Sequence, residues 1–148
     1  MNTPHLHRPI GLHEMVLEVA DLAASTRFYE EVIGLEVMAR WGDDRPAVWL
    51  DLGDSAALGL WSAKAAVGAI ANGRGGAHVH FAMRVAQGSI DEVQARLELL
   101  GYEVLRVDFD DGNRSVYVDD PDGNCVEMMD AVMDWAQRPV APRMTTNA

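Results

Sequence analysis

Hydrophobic and polar positions alternate along residues 11–21. Met15, Leu17 and Val19 fall on one face, and Glu14, Val16 and Glu18 on the other. That is the two-residue period of a β-strand. From 22 to 33 the spacing lengthens. Leu22, Phe28, Tyr29, Val32 and Ile33 make one apolar stripe, which predicts a helix. Asp21 is placed to cap its start, with Ser25 a later candidate, and Gly34 is placed to stop it. Residues 35–41, 47–52 and 56–61 then read as strands, with turns at 42–46 and at Gly53-Asp54. The order is βαβββ.

After residue 76 the same order returns. Residues 77–85 read as a strand. Val79, Phe81, Met83 and Val85 suit a face packed on helices, while His78, His80, Ala82 and Arg84 line the opposite face. Ser89 and Glu92 fit a capping box at the head of a helix reaching Leu100, in which Ile90, Val93, Leu97 and Leu100 keep helical spacing. Gly101 stops that helix, and Gly101-Tyr102-Glu103-Val104 echoes Gly34-Leu35-Glu36-Val37. A turn at Gly112-Asn113 answers the one near Asp43. Residues 114–130 read as two strands around Asp120-Pro121-Asp122-Gly123, with the Asp, Pro and Gly placement of a type I turn. Two copies of one pattern therefore cover 11–61 and 77–130, an internal repeat. Residues 62–76, rich in Ala and Gly, read as a linker or mobile loop. Their glycines make no phosphate loop, because no Gly-Lys-Ser/Thr follows them. Residues 131–148 form a tail in which Met133, Trp135 and Pro139 could cover an apolar patch or a partner.

In the last strand Cys125, Glu127 and Met129 share one face and Val126 and Met128 the other. A carboxylate among apolar residues in mid-strand is either exposed or, if buried, paired or bound to a metal. Strand, Asp-Pro-Asp-Gly-Asn, then a strand carrying Glu resembles the end of the second module in the vicinal oxygen chelate superfamily. That superfamily includes glyoxalase I, fosfomycin-resistance enzymes, bleomycin-resistance proteins, methylmalonyl-CoA epimerases and extradiol dioxygenases. The resemblance spans nearly the whole repeat. It implies an α+β fold of two βαβββ modules forming curved mixed sheets that enclose a cup.

The resemblance also implies a site. In metal-binding members the Glu at position 127 is a ligand, and His80 matches the family's metal-binding His. Alignment on Val19-Ala20-Asp21-Leu22 puts Glu14 where many members have His. Strand parity agrees, since Glu14 shares a face with Val16 and Glu18. His13 is the alternative if a β-bulge turns it. A glutamate oxygen is a competent ligand for Zn, Mn, Ni or Co, so the implied cofactor is one divalent ion of these or Fe, held by Glu14, His80 and Glu127. The family's fourth glyoxalase ligand falls near Gly59 or Leu60 and is missing here, which counts against glyoxalase I itself. Glu14 or His78 is the candidate proton carrier. Glu18, Arg84, Ser115 and Tyr117 are candidate substrate contacts; Arg114-Ser115-Val116-Tyr117 resembles fosfomycin-resistance enzymes and extradiol dioxygenases. Glu18 and Arg84 hold equivalent places and could pair across the cup. Trp41, Trp49 and Trp61 are either core or an aromatic wall.

Composition narrows the partners. A chain of 148 residues, 49% hydrophobic, suits one domain or two small modules sharing a core. A formal charge of −11 opposes nucleic-acid binding, which needs Lys and Arg at phosphates. No apolar run is long enough to span a membrane, and residues 1–9 carry no apolar signal segment. A single cysteine allows no intrachain disulfide and fits a reducing cytoplasm, the expected location. The expected function is a metal-dependent enzyme acting on a small substrate with vicinal oxygens, by lyase, isomerase or transferase chemistry. The alternatives are an extradiol ring-cleaving dioxygenase and a metal-free drug- or metabolite-binding protein of the bleomycin-resistance type. Small two-module members of the family often form homodimers with shared cups, so a homodimer is expected.

Overall fold

The structure, a computed structural model, describes residues 11–42, 46–63, 80–132 and 139. Strand β1 (Glu14–Val19) leads into helix α1 (Leu22–Arg27). The Asp21 side chain accepts from the Ala24 backbone N–H at 2.9 Å and caps the helix, as its position predicts. The helix then widens into a π-helical segment, Phe28–Ile33, ending at Gly34 with φ of 92°. Two successive N–H groups, of Gly34 and Leu35, share the Tyr29 carbonyl. The apolar stripe predicts a helix here but cannot distinguish π from α spacing. Strands β2 (Val37–Trp41), β3 (Ala47–Gly53) and β4 (Ala56–Ser62) complete the first unit.

The second unit is β5 (His80–Arg84), α2 (Ile90–Leu99), β6 (Leu105–Asp108), β7 (Arg114–Asp119) and β8 (Cys125–Asp130). Each unit makes a four-stranded mixed sheet, in the orders β1-β4-β3-β2 and β5-β8-β7-β6. In both, the first strand runs parallel to the last and the remaining pairs are antiparallel. The repeat read from the sequence is thus a repeat of topology.

One face of each sheet supplies the core. Leu17, Val19, Val48, Leu50, Leu58 and Leu60 of the first sheet join Val116, Val118, Val126 and Met128 of the second, with Phe28, Tyr29, Ile90 and Leu97 from the helices. Each such side chain contributes about 1.5–3 kcal/mol on burial. Leu100, predicted to extend the α2 stripe, lies past the helix end and is 49% exposed. The Ser89–Glu92 capping box does not form. Ser89 is in the right-handed helical region, its side chain makes no capping bond, and its Oγ donates to the Ala86 carbonyl at 2.6 Å. A capping hydroxyl must sit on an extended residue to reach the N–H groups ahead of it.

Polar contacts tie the units together. The Arg96 guanidinium of α2 donates to the carbonyls of Glu31 (2.6 Å) and Val32 (3.2 Å) at the end of the π-helical segment. The type I turn closes with the Gly123 N–H on the Asp120 carbonyl at 2.9 Å. Asp122 of that turn accepts from the Ala20 N–H (3.0 Å) and the Ser25 hydroxyl (3.2 Å), and the Tyr29 hydroxyl donates to Asp120 at 2.7 Å. The residues between 63 and 80, and Met133 and Trp135 of the tail, lie outside the described residues; Pro139 is exposed.

Candidate functional site

The outer face of the second sheet carries alternate residues of its strands. Parallel pairing sets His80 against Cys125 and Ala82 against Glu127. Antiparallel pairing sets Tyr117 against Glu127 and Ser115 against Met129. His80, Glu127, Tyr117 and Ser115 are therefore neighbours by register alone.

Glu127 is only 2% exposed, so the choice between an exposed and a partnered carboxylate falls to the second. Its Oε1 accepts from the Ser115 hydroxyl at 2.6 Å and the Tyr117 hydroxyl at 2.9 Å. Its Oε2 lies 2.8 Å from His80 Nε2, and the His80 side chain is 29% exposed. The His80 ring meets the Tyr117 ring edge to face at 5.4 Å. Burial, the Glu127 hydrogen bond and the Glu127 charge push the Tyr117 phenol up to about 12, so it stays a donor at neutral pH. Burial likewise raises the Cys125 thiol. One carboxylate oxygen is held by two hydroxyls, and the other faces an imidazole nitrogen at the accessible side.

Glu14 and Glu18 lie on the corresponding face of the first sheet, both exposed. The pairing of β1 with β4 runs unbroken from Glu14 to Val19, and His13 lies just ahead of it. Among the described residues, no three His, Cys, Asp or Glu side chains come together as one chain's metal cluster. His80 and Glu127 are joined and Glu14 stands apart from them. His78 lies outside the described residues.

Arg84 takes Asp54 as its ion partner within the chain. Sequence reasoning missed this pairing because Asp54 belongs to a turn and carries no periodic signal. Ser115 and Tyr117, named as substrate contacts, direct their hydroxyls to Glu127. The three tryptophans pack together outside the core cluster: Trp41 and Trp49 are centred 5.0 Å apart, Trp41 and Trp61 6.4 Å. At Gly59 a Cβ would meet Trp49 Cζ3 at 2.8 Å. The strand position read as lacking the fourth glyoxalase ligand is thus filled by an indole ring.

The comparisons with known proteins agree with this fold. A sequence profile of the Glyoxalase/Bleomycin resistance protein/Dioxygenase superfamily matches residues 11–128. The chain is 29% identical over 120 residues to the glutathione transferase FosA of Serratia marcescens, covering 80% of this chain and 79% of that protein. Lactoylglutathione lyase from Agrobacterium tumefaciens is similar in structure, with a TM-score of 0.64 and 27% identity over 83% of this chain and 95% of that one. The fosfomycin resistance protein FosX from Listeria monocytogenes, solved with Mn(II) and sulfate, shares the fold at a TM-score of 0.66 and 20% identity, covering 88% and 98% of the two chains.

Proposed function

We propose, from the premise that this chain belongs to the Glyoxalase/Bleomycin resistance protein/Dioxygenase superfamily, that it is a divalent-metal-dependent enzyme acting on vicinal oxygens of a small substrate. The observation that carries the reading is the buried Glu127 with His80 Nε2 at 2.8 Å from its free-facing oxygen. A buried carboxylate persists where its oxygens are hydrogen-bonded, paired or metal-bound, and here one of them faces an imidazole that is itself a potential metal ligand. One nitrogen and one oxygen donor suit borderline divalent ions. The Mn(II) in FosX supports this reading by likeness of fold only.

In the proposal Glu14, His80 and Glu127 hold the ion, and Glu14 comes from the partner subunit of a two-fold dimer. Its separation from the joined pair within one chain favours that arrangement. The bound ion would serve as a Lewis acid towards the substrate oxygens. The Ser115 and Tyr117 hydroxyls fix Glu127 by holding its inner oxygen. Glu14, exposed on β1, or His78 carries the proton moved in the reaction. Because Trp49 covers Gly59, the reading favours lyase, isomerase or transferase chemistry on a three-ligand site over a four-ligand glyoxalase. The chain's place in the cell remains proposed as cytoplasmic, from its lone cysteine.

The test is metal analysis of protein purified without chelator or His-tag, followed by mixing of two inactive variants. About one ion per chain is expected. Glu14→Ala chains exchanged with His80→Ala chains should regain one intact site per heterodimer. Metal-free protein that takes up no added ion would turn the reading to a binding protein. Exchange without recovery would place all ligands in one chain.

A further inference from the structure

Three tryptophans on one sheet face are more than the core needs. By register, Trp49 stands between Ala39 and Gly59, and Trp61 and Trp41 flank Ala47 in the next row. Paired residues share a face, so all three belong to the face of Glu14, Val16 and Glu18 rather than to the core face of Val48, Leu58 and Leu60. Trp41 is 55% exposed and Val16 39%. The Trp49 ring is seated on Gly59, and its Nε1–H is buried with no acceptor among the described residues. A cluster built only for stability has no reason to expose one large ring and leave a donor unmet.

The face also limits the ligand's charge. On the two sheet faces that carry the candidate ligands, the described arginine is Arg84, and it pairs at the surface with Asp54. Arg106 and Arg114 turn to the opposite face, where Asp91, Asp108 and Asp130 take them. Glu14 and Glu18 share the tryptophan face. An anionic arm, such as a phosphonate, would have to displace Asp54 from Arg84 and would meet Glu14 and Glu18. A flat uncharged arm finds the exposed Trp41 ring, with Trp49 tilted at 53° beside it and Trp61 set edge-on at 86°. A strand rises about 3.3 Å per residue, so the Gly59 and Trp61 rows lie roughly 7 and 13 Å along the sheet from the Glu14 row.

We infer that the tryptophan shelf binds an uncharged planar aromatic arm of the substrate, joined to the vicinal oxygens by a spacer of a few bonds. This rests on the metal reading above and names the substrate class for the same site. The probes are two hydroxamates, which present vicinal oxygens: acetohydroxamate without an arm and 2-naphthohydroxamate with one. Calorimetric titration of Co(II)-loaded protein should show the naphthyl compound binding about tenfold tighter or more. Trp41→Ala should bring the two within about twofold while leaving acetohydroxamate unchanged, and Trp41→Phe should keep most of the preference. Leu99→Ala, on the distant α2, should leave it intact. Equal binding by wild type, or a preference that survives Trp41→Ala, overturns the inference. So does a Trp41→Ala chain that loses its dimer and keeps its preference, since the shelf then faces a second copy. If acetohydroxamate fails to bind, the metal reading fails alone. The shelf is then read with 2-naphthamide against acetamide on metal-free protein, where the same loss in Trp41→Ala supports it and equal binding overturns it.

Discussion

The two sheets lay the same lattice and fill it differently. Each first strand pairs in parallel with its last, so Glu14 stands opposite Ala57 as His80 stands opposite Cys125. One row on, Val16 faces Gly59 and Ala82 faces Glu127. The next strand places Trp49 beside Gly59 and Tyr117 beside Glu127. Gly59 and Trp49 therefore hold the places that Glu127 and Tyr117 hold in the second sheet. In one sheet an aromatic hydroxyl donates to a carboxylate at 2.9 Å. In the other an indole ring sinks into the space a side chain would need. A duplicated backbone offers the same lattice twice, but residue choice at two positions leaves a partnered carboxylate in one sheet and an indole ring in the other.

The largest expected effect breaks the comparison outright. Glu127→Ala and His80→Ala should each abolish metal uptake, because three protein ligands leave little redundancy. Trp49→Phe and Trp61→Phe in the opposite sheet should leave uptake near wild type. Equilibrium dialysis against Co(II) or Mn(II) measures both. Full occupancy in one of these variants would remove that residue from the site.

A smaller effect is expected from the groups behind the ligand. Ser115→Ala and Tyr117→Phe each remove one of the two hydroxyls on Glu127 Oε1. Partners that orient a ligand are commonly worth about 10–100-fold in affinity. Each variant should weaken metal binding by about tenfold, with the fold unchanged by circular dichroism. If both variants bind as wild type does, Glu127 does not need these hydroxyls to hold a metal.

How much of this was legible in the sequence divides along the same lines. Period-2 alternation set Glu127 on the face away from Val126 and Met128, because strand parity is a property of the backbone, while Ser115 and Tyr117 were named through the family resemblance and joined to Glu127 only by the strand register. Gly34 and Gly101 marked two helix ends, each with the positive φ that glycine adopts without strain. The Ser89 capping box failed because the motif shows residue types and not the backbone angle that aims them. The Arg84–Asp54 pair was hidden because it joins two units through a turn. The contact of Trp49 with Gly59 was hidden too, since no spacing shows which neighbour a ring lies on.

A third prediction tests the filled lattice point itself. Gly59→Ala puts a methyl 2.8 Å from Trp49 Cζ3 and 2.9 Å from Cη2, closer than real contacts allow. Overpacking of this kind costs about 1–3 kcal/mol. Urea unfolding should show that loss with an unchanged m-value, and Trp49→Leu should relieve part of it. A Gly59→Ala chain as stable as wild type would mean that the ring moves freely, and the shelf would lose its rigidity.

The smallest effect lies where the two units meet, and it depends on pH. The turn of the second unit carries Asp120 and receives the Tyr29 hydroxyl of the first, whereas the turn of the first unit carries Asp54 and receives Arg84. Tyr29 is fully buried. Burial first, then the Asp120 charge and hydrogen bond, hold its phenol well above the ordinary 10.0. The folded state thus keeps this proton where the unfolded chain releases it. A raised folded value gives stability that is complete below the unfolded value and lost as pH rises beyond it. Stability should therefore fall above about pH 10. Tyr29→Phe should cost about 1 kcal/mol at neutral pH, because Asp120 keeps its bonds from Asn124 and from the Asp122 N–H. The same variant should flatten the alkaline loss, read as urea midpoints between pH 7 and 11. Tyr117→Phe measured beside it separates the second raised phenol. An alkaline slope identical in Tyr29→Phe and wild type would show that this contact between the units does not carry the pH dependence.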